Sequence, residues 1–154
     1  MKPRGFTLME VMMVVVVLGI LVAMAVPNYS KAVELERWRA ARDILMTMYY
    51  GERTHMFASD TGTYCDVTGG SGACCVPGPC WNEIHMDNPN LKSIPITFTA
   101  TSAGAFKTFT GTAQHDPGGS CGNKSMSIDE QRKFSGSWVV TDPGTGDAVG
   151  CQCC

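Results

Sequence analysis

Residues 6–26 hold 18 apolar residues out of 21, and Glu10 is the one charged residue among them. Such a run belongs in a membrane or a dry core, and at a 1.5 Å rise per residue it spans roughly 30 Å, the thickness of a hydrocarbon layer. Beyond Pro27 the pattern changes. Trp38, Ala41, Leu45 and Met48 recur at helical spacing, while Glu34, Glu36, Arg37, Arg39, Arg42 and Asp43 supply a charged face. One long helix is predicted from Phe6 to about Ala58, apolar all round at first, amphipathic later, and kinked near Pro27. Its second half has a stripe to bury, so another layer must pack on it.

Residues 59–82 contain five Gly, two Pro and four Cys, the composition of a loop that burial alone does not hold. Strand patterns follow. Residues 94–100 and 105–113 alternate and are rich in Thr and aromatics, with Ser102-Ala103-Gly104 between them as a hairpin turn. Residues 125–129 and 136–141 read as a second, shorter pair around residues 130–135. About four antiparallel strands laid across the helix stripe make an α+β roll. Trp38, Tyr49 and Tyr50 read as ordinary core and interface aromatics.

The chain has 154 residues, one domain by length, and a formal charge of −2 with no basic run. Nucleic acid therefore has no electrostatic footprint here. All eight Cys fall after residue 60, and together with a membrane or export segment they point to an oxidising compartment. Two local groups of bridges are expected: Cys65, Cys74, Cys75 and Cys80 in the loop, and Cys121 with the tail residues Cys151, Cys153 and Cys154. The adjacent pairs should bond outward, because a vicinal bridge strains the peptide between them. A zinc-thiolate site built from the C-x-x-C of residues 151–154 with Cys74, Cys75 and Cys80 is the alternative, against which the spacing is irregular.

Other chemistry-bearing strings read as structure. Gly118-Gly119-Ser120-Cys121-Gly122 satisfies G-x-S-x-G, yet the hydrolase elbow needs a strand before it, a helix after it and a longer chain. His55, His85 and His115 share no ligand spacing and are expected at the surface or half-buried. Asp142 and Asp147 stand in a Gly-rich turn that could offer oxygens to calcium, the one weak metal candidate, and turn chemistry explains the same string. No catalytic residue and no cofactor is expected.

Three readings of the N-terminus compete. A secretory signal peptide fits Lys2, Arg4 and the small-x-small Ala23-Met24-Ala25, and a cut after Ala25 would release a small exported Cys-rich binding domain beginning at Val26. Glu10 inside the apolar region and Pro27 just past the cut argue against it. A plain single-pass anchor fits the length but not the carboxylate, which needs a partner or a purpose at that depth.

The third reading rests on Lys2-Pro3-Arg4-Gly5, then Phe6-Thr7-Leu8-Met9-Glu10, then an apolar helix closing in Val26-Pro27-Asn28-Tyr29. This combination resembles the type IV prepilins and their pseudopilin relatives. The resemblance implies a peptidase cut between Gly5 and Phe6, N-methylation of Phe6, and retention of the apolar segment. It also gives Glu10 a role in assembly, pairing with the freed Phe6 amine of a neighbouring subunit, and makes Pro27 part of the same segment. An acid that merely snorkels to the membrane edge is the plainer account of Glu10.

On that resemblance residues 1–5 are a leader, 6–28 a transmembrane and assembly helix, and 29–154 a pilin headgroup. Residues 94–138, with Cys121 ahead of Ser125-Met126-Ser127-Ile128-Asp129, add a looser likeness to the major or minor pilins of bacterial type IV pili. The implied protein is a structural subunit and not an enzyme. It is single-pass in the inner membrane with a periplasmic headgroup, and extracellular once polymerised for adhesion, motility or DNA uptake. Implied partners are other pilin subunits, the prepilin peptidase and the inner-membrane assembly machinery. A pseudopilin of type II secretion is the alternative within the same architecture, with which the acidic Gly-rich loop at Asp142 and Asp147 agrees.

Overall fold

The computed structural model describes residues 5–67, 81–91, 94–103, 107–118 and 121–153, with the side chain of Pro27 excepted. Residues 1–4, Cys74, Cys75, Cys80 and Cys154 lie outside the described residues. Helix α1 spans Leu8–Ala58. It is one element of 51 residues, about 77 Å long at the standard rise. It passes through Pro27, which has no N–H to give the Ala23 carbonyl, and one residue on, the Asn28 side-chain amide donates to the Met24 carbonyl at 3.4 Å. Arg37–Glu34 and Arg39–Glu36, three residues apart, support the amphipathic half.

Strands β1 (Ile96–Ala103), β2 (Thr108–His115), β3 (Ser125–Asp129) and β4 (Phe134–Ser135) form a four-stranded antiparallel sheet in that order. Alternation decides which face is dry: Ile96, Phe98 and Ala100 turn inward on β1, as Met126 and Ile128 do on β3. The helix lays Trp38, Ala41, Leu45 and Met48 on that face, all buried, so the stripe finds the layer it required. Ala100, Gly111 and Ile128 are in register across the sheet. A Cβ on Gly111 would stand 3.2 Å from Ile128 Cγ2 and 3.3 Å from Met48 Cε, so glycine lets β2 approach the helix this closely. Ile128→Val, which removes one methyl from this fully buried row, should cost about 0.5–1.5 kcal/mol, read as a lower denaturation midpoint at unchanged slope.

The outer edge of β1 is covered by a side chain. Asn90 accepts from the Phe98 N–H at 2.7 Å and donates to the Phe98 carbonyl at 2.8 Å, standing in for a neighbouring strand.

Three expectations need correction. Ser102 and Ala103 are not a turn, because the ladder runs on through Ser102↔Phe109 and Ala103↔Thr108. Gly104 and the predicted strand residues 105 and 106 lie outside the described residues. Nor do residues 136–141 pair with β3, whose strand partners are β2 and β4. Gly136, at φ +121°, turns the chain where a side chain would strike the Ser125 carbonyl, and after a last bond from the Trp138 N–H to that carbonyl (2.9 Å) the backbone leaves the sheet. It then forms β5 (Val139–Thr141), which pairs with β6 (Ala148–Cys151) in a separate two-stranded sheet. Thus the last strand reaches into the tail and ends at Cys151.

The third correction concerns polar groups. His115 is buried rather than superficial, and Glu34 is buried rather than part of the solvated face. His115 Nδ1 donates to the Asp116 carbonyl at 2.9 Å, and its Nε2 lies 3.3 Å from Glu34 Oε2 while Glu34 Oε1 takes Arg37 at 2.5 Å. The His115 ring meets Trp138 edge-on at 5.3 Å. Glu34 from α1 and His115 from β2 thus face each other inside the head, although Glu34 Oε2 and His115 Nε2 make no hydrogen bond.

Candidate processing and assembly segment

The segment singled out by sequence, Gly5 to Pro27, stands clear of the folded head. Phe6 is 85% exposed, and every residue described from Leu8 to Val26 is exposed. The helix is long and apolar enough to cross a membrane. A Cβ on Gly5 would meet nothing within 4 Å. The fold itself therefore does not demand glycine there.

Glu10 has a partner that sequence reasoning missed. Thr7 caps the helix: its hydroxyl accepts from the Glu10 N–H at 3.3 Å, while Glu10 Oε2 takes the Thr7 N–H and the Thr7 hydroxyl, each at 3.0 Å. This reciprocal capping box satisfies two N–H groups that a helix start otherwise leaves open. The signal was present as T-x-x-E just ahead of an apolar run. The carboxylate is held at the first turn, where the positive end of the helix dipole also favours it.

At the far end of α1, Glu52 is fully buried and accepts from the Cys65 N–H at 2.9 Å, tying the chain after the helix back to it. Burial pushes its carboxyl up from the ordinary 4.5 to about 7, the Cys65 N–H opposes that, and the negative charge of Asp66 adds to it. Between about pH 4.5 and 7 the folded chain keeps a proton that the unfolded chain has released, so the contribution of Glu52 to stability is full below that window and is lost as pH rises through it. The difference across the window is about 3 kcal/mol at one unit per 1.36 kcal/mol. Glu52→Gln should flatten this part of the stability–pH curve and stabilise the head above pH 7. Identical slopes for both proteins between pH 4.5 and 7 would contradict that origin.

Cys121 is bonded to Cys153, across 32 residues. Cys65 and Cys151 are disulfide-bonded too, and no described cysteine is free. Although the sulfurs of Cys121, Cys151 and Cys153 gather within 4.8 Å of one another, in this oxidised state they are not thiolate ligands. The calcium candidates are both engaged within the chain. Asp142 Oδ1 accepts from the Gly144 and Thr145 N–H groups at 2.8 and 2.9 Å, which hold the Asp142 carboxyl below its usual range, and Asp147 lies 3.4 Å from Arg132. His55 is half-buried and His85 exposed, unlike the buried His115.

Residues 1–26 match the family described as the prokaryotic N-terminal methylation motif. The chain is 37% identical over 65 residues to the type IV major pilin protein PilA of Myxococcus xanthus (strain DK1622). The chain is type IV pilin-like. The aligned part covers 42% of this chain and 29% of that relative's length, and no solved structure matches. A long N-terminal helix on a four-stranded antiparallel sheet, with a disulfide in the C-terminal region, is the α+β pilin architecture that the pilin-like N-terminus led one to expect.

Proposed function

We propose that this pilin-like protein is a structural subunit of a bacterial type IV pilus. The observation that carries the reading is the methylation motif placed on a helix whose apolar first half is uncovered and whose second half is built into the head. Residues 1–5 serve as a leader, removed between Gly5 and Phe6 by a prepilin peptidase that also methylates Phe6. Residues 6–28, Pro27 included, hold the precursor in the inner membrane, and residues 29–154 form the periplasmic headgroup. Polymerisation then transfers the apolar helix from lipid to a bundle of like helices, both of which remove it from water. The filament is extracellular, and its partners are other pilin subunits and the inner-membrane assembly machinery.

N-terminal sequencing with intact mass of the mature protein tests this directly. A methylated Phe6 start is expected, and a Val26 start would return the chain to the class of small exported binding domains. Loss of surface fibres in a strain lacking the chain tests the filament itself. The pseudopilin reading gains no support from the Asp142–Asp147 turn, whose carboxylates are occupied by the turn and by Arg132.

A further inference from the structure

The sulfurs at the end of the chain are closer together than one clamp requires. Cys151 Sγ lies 4.0 Å from Cys153 Sγ, in addition to the bond between Cys153 and Cys121. Cys121 is fully buried, whereas Cys151 and Cys153 are both half-exposed. Thiol–disulfide exchange proceeds by attack of a thiolate on a neighbouring disulfide sulfur, so its rate depends on access and on how well the departing thiolate is stabilised.

We propose that Cys121, Cys151 and Cys153 form an internal disulfide-exchange site, in which opening the bridge held by Cys151 moves the tail's anchor from Cys153 to Cys151. The opening reagent is a dithiol outside the chain, either a small molecule or the paired thiols of an oxidoreductase. It loses two electrons and two protons to become a disulfide, and the bridge of Cys151 becomes two thiols. The Cys151 thiolate then attacks Cys121 Sγ, the Cys121–Cys153 bond breaks, and Cys153 leaves as a thiolate that takes up the proton Cys151 gave off. One S–S bond replaces another, with no net electron transfer in this second step.

Burial selects the direction. Attack on Cys153 instead would expel Cys121 as a thiolate into the dry core, an uncompensated buried charge, and would close a small ring across Gln152 alone. Because β6 ends at Cys151, the exchanged form keeps the sheet end clamped and, among the described residues, releases Gln152 and Cys153. The inference stands apart from the filament reading: it needs the three sulfurs, the bridge that Cys151 holds and the external dithiol that opens it.

The test uses the full chain in detergent. It is exposed to limiting dithiothreitol, quenched in acid, alkylated with N-ethylmaleimide and mapped without reduction, the tail peptide being fragmented to separate positions 151 and 153. A Cys121–Cys151 linkage rising together with alkylated Cys153 is expected. Cys151→Ser should abolish Cys153 alkylation at the same dose. Should that variant fail to fold, the time course of the unmodified chain decides, since Cys151 alkylation must precede that of Cys153. Alkylated Cys151 with an intact Cys121–Cys153 bridge at every time, or Cys153 alkylation ahead of Cys151, would overturn the proposal.

Discussion

Glu10→Leu is expected to leave the chain inserted in the membrane and to abolish filament formation. Insertion should not suffer, because the substitution removes the one charge from an apolar run long enough to span the bilayer. Assembly should fail for an electrostatic reason. Before cleavage Glu10 is served within its own chain by the Thr7 N–H and hydroxyl, so the monomer carries no unmet carboxylate. On the proposed function, removal of the leader would add a cation at Phe6, and in the water-free core of a helix bundle that amine would need an anion from a neighbouring subunit. Leucine offers none. Since Glu10→Leu also destroys the capping box, Thr7→Val provides the control: it loses the cap hydroxyl but keeps the charge, and should still polymerise. Membrane fractionation and electron microscopy of surface fibres read the two outcomes. Normal fibre yield from Glu10→Leu would refute the pairing, and loss of fibres in Thr7→Val alone would shift the role of Glu10 to the helix start.

The helix and its layer were legible because periodicity reports burial directly. Trp38, Ala41, Leu45 and Met48 mark the stripe, and the alternation at residues 96–100 and 125–129 marks the facing sheet. Glu34 and Glu52 were misread or passed over for the converse reason. They stand four residues before Trp38 and four after Met48, on the same stripe, and a charged residue there was counted with the solvated face. Their partners, His115 and the Cys65 N–H, come from distant parts of the chain and no local pattern announces them. The strand at residues 139–141 was legible as a strand but not in its pairing, which was decided by the left-handed turn at Gly136 and by a partner strand whose Ala148-Val149-Gly150-Cys151 is too short to signal itself. At the N-terminal end of α1 the T-x-x-E of the capping box stands in the sequence, whereas the reciprocal bonds between Thr7 and Glu10 become visible only in the folded geometry.

Cys121→Ser is expected to cost the headgroup about 3–4 kcal/mol, the chain-entropy value for a bridge closing a loop of some 32 residues. The bond matters beyond its loop length because of what it joins. Cys121 sits fully buried at the turn that leads into β3, and Cys153 follows β6, the outer strand of a two-stranded sheet that α1 and the main sheet only partly cover. Two strands alone are marginal in water. Apart from the sulfurs, the tail after β6 is tied by the Gln152 N–H to the Trp138 carbonyl at 3.3 Å, a bond that would fray once the anchor is gone. For a head of this size the loss corresponds to a fall in Tm of roughly 10–15 °C. The doubly substituted Cys121→Ser/Cys153→Ser chain should be no less stable than the single variant, since one bond can be lost only once, and it leaves no thiol to re-pair. Thermal unfolding of the three oxidised proteins supplies the comparison. A fall of only a few degrees in both variants would mean that the bridge held by Cys151 anchors the tail by itself, and that Cys121–Cys153 fixes its register rather than its stability.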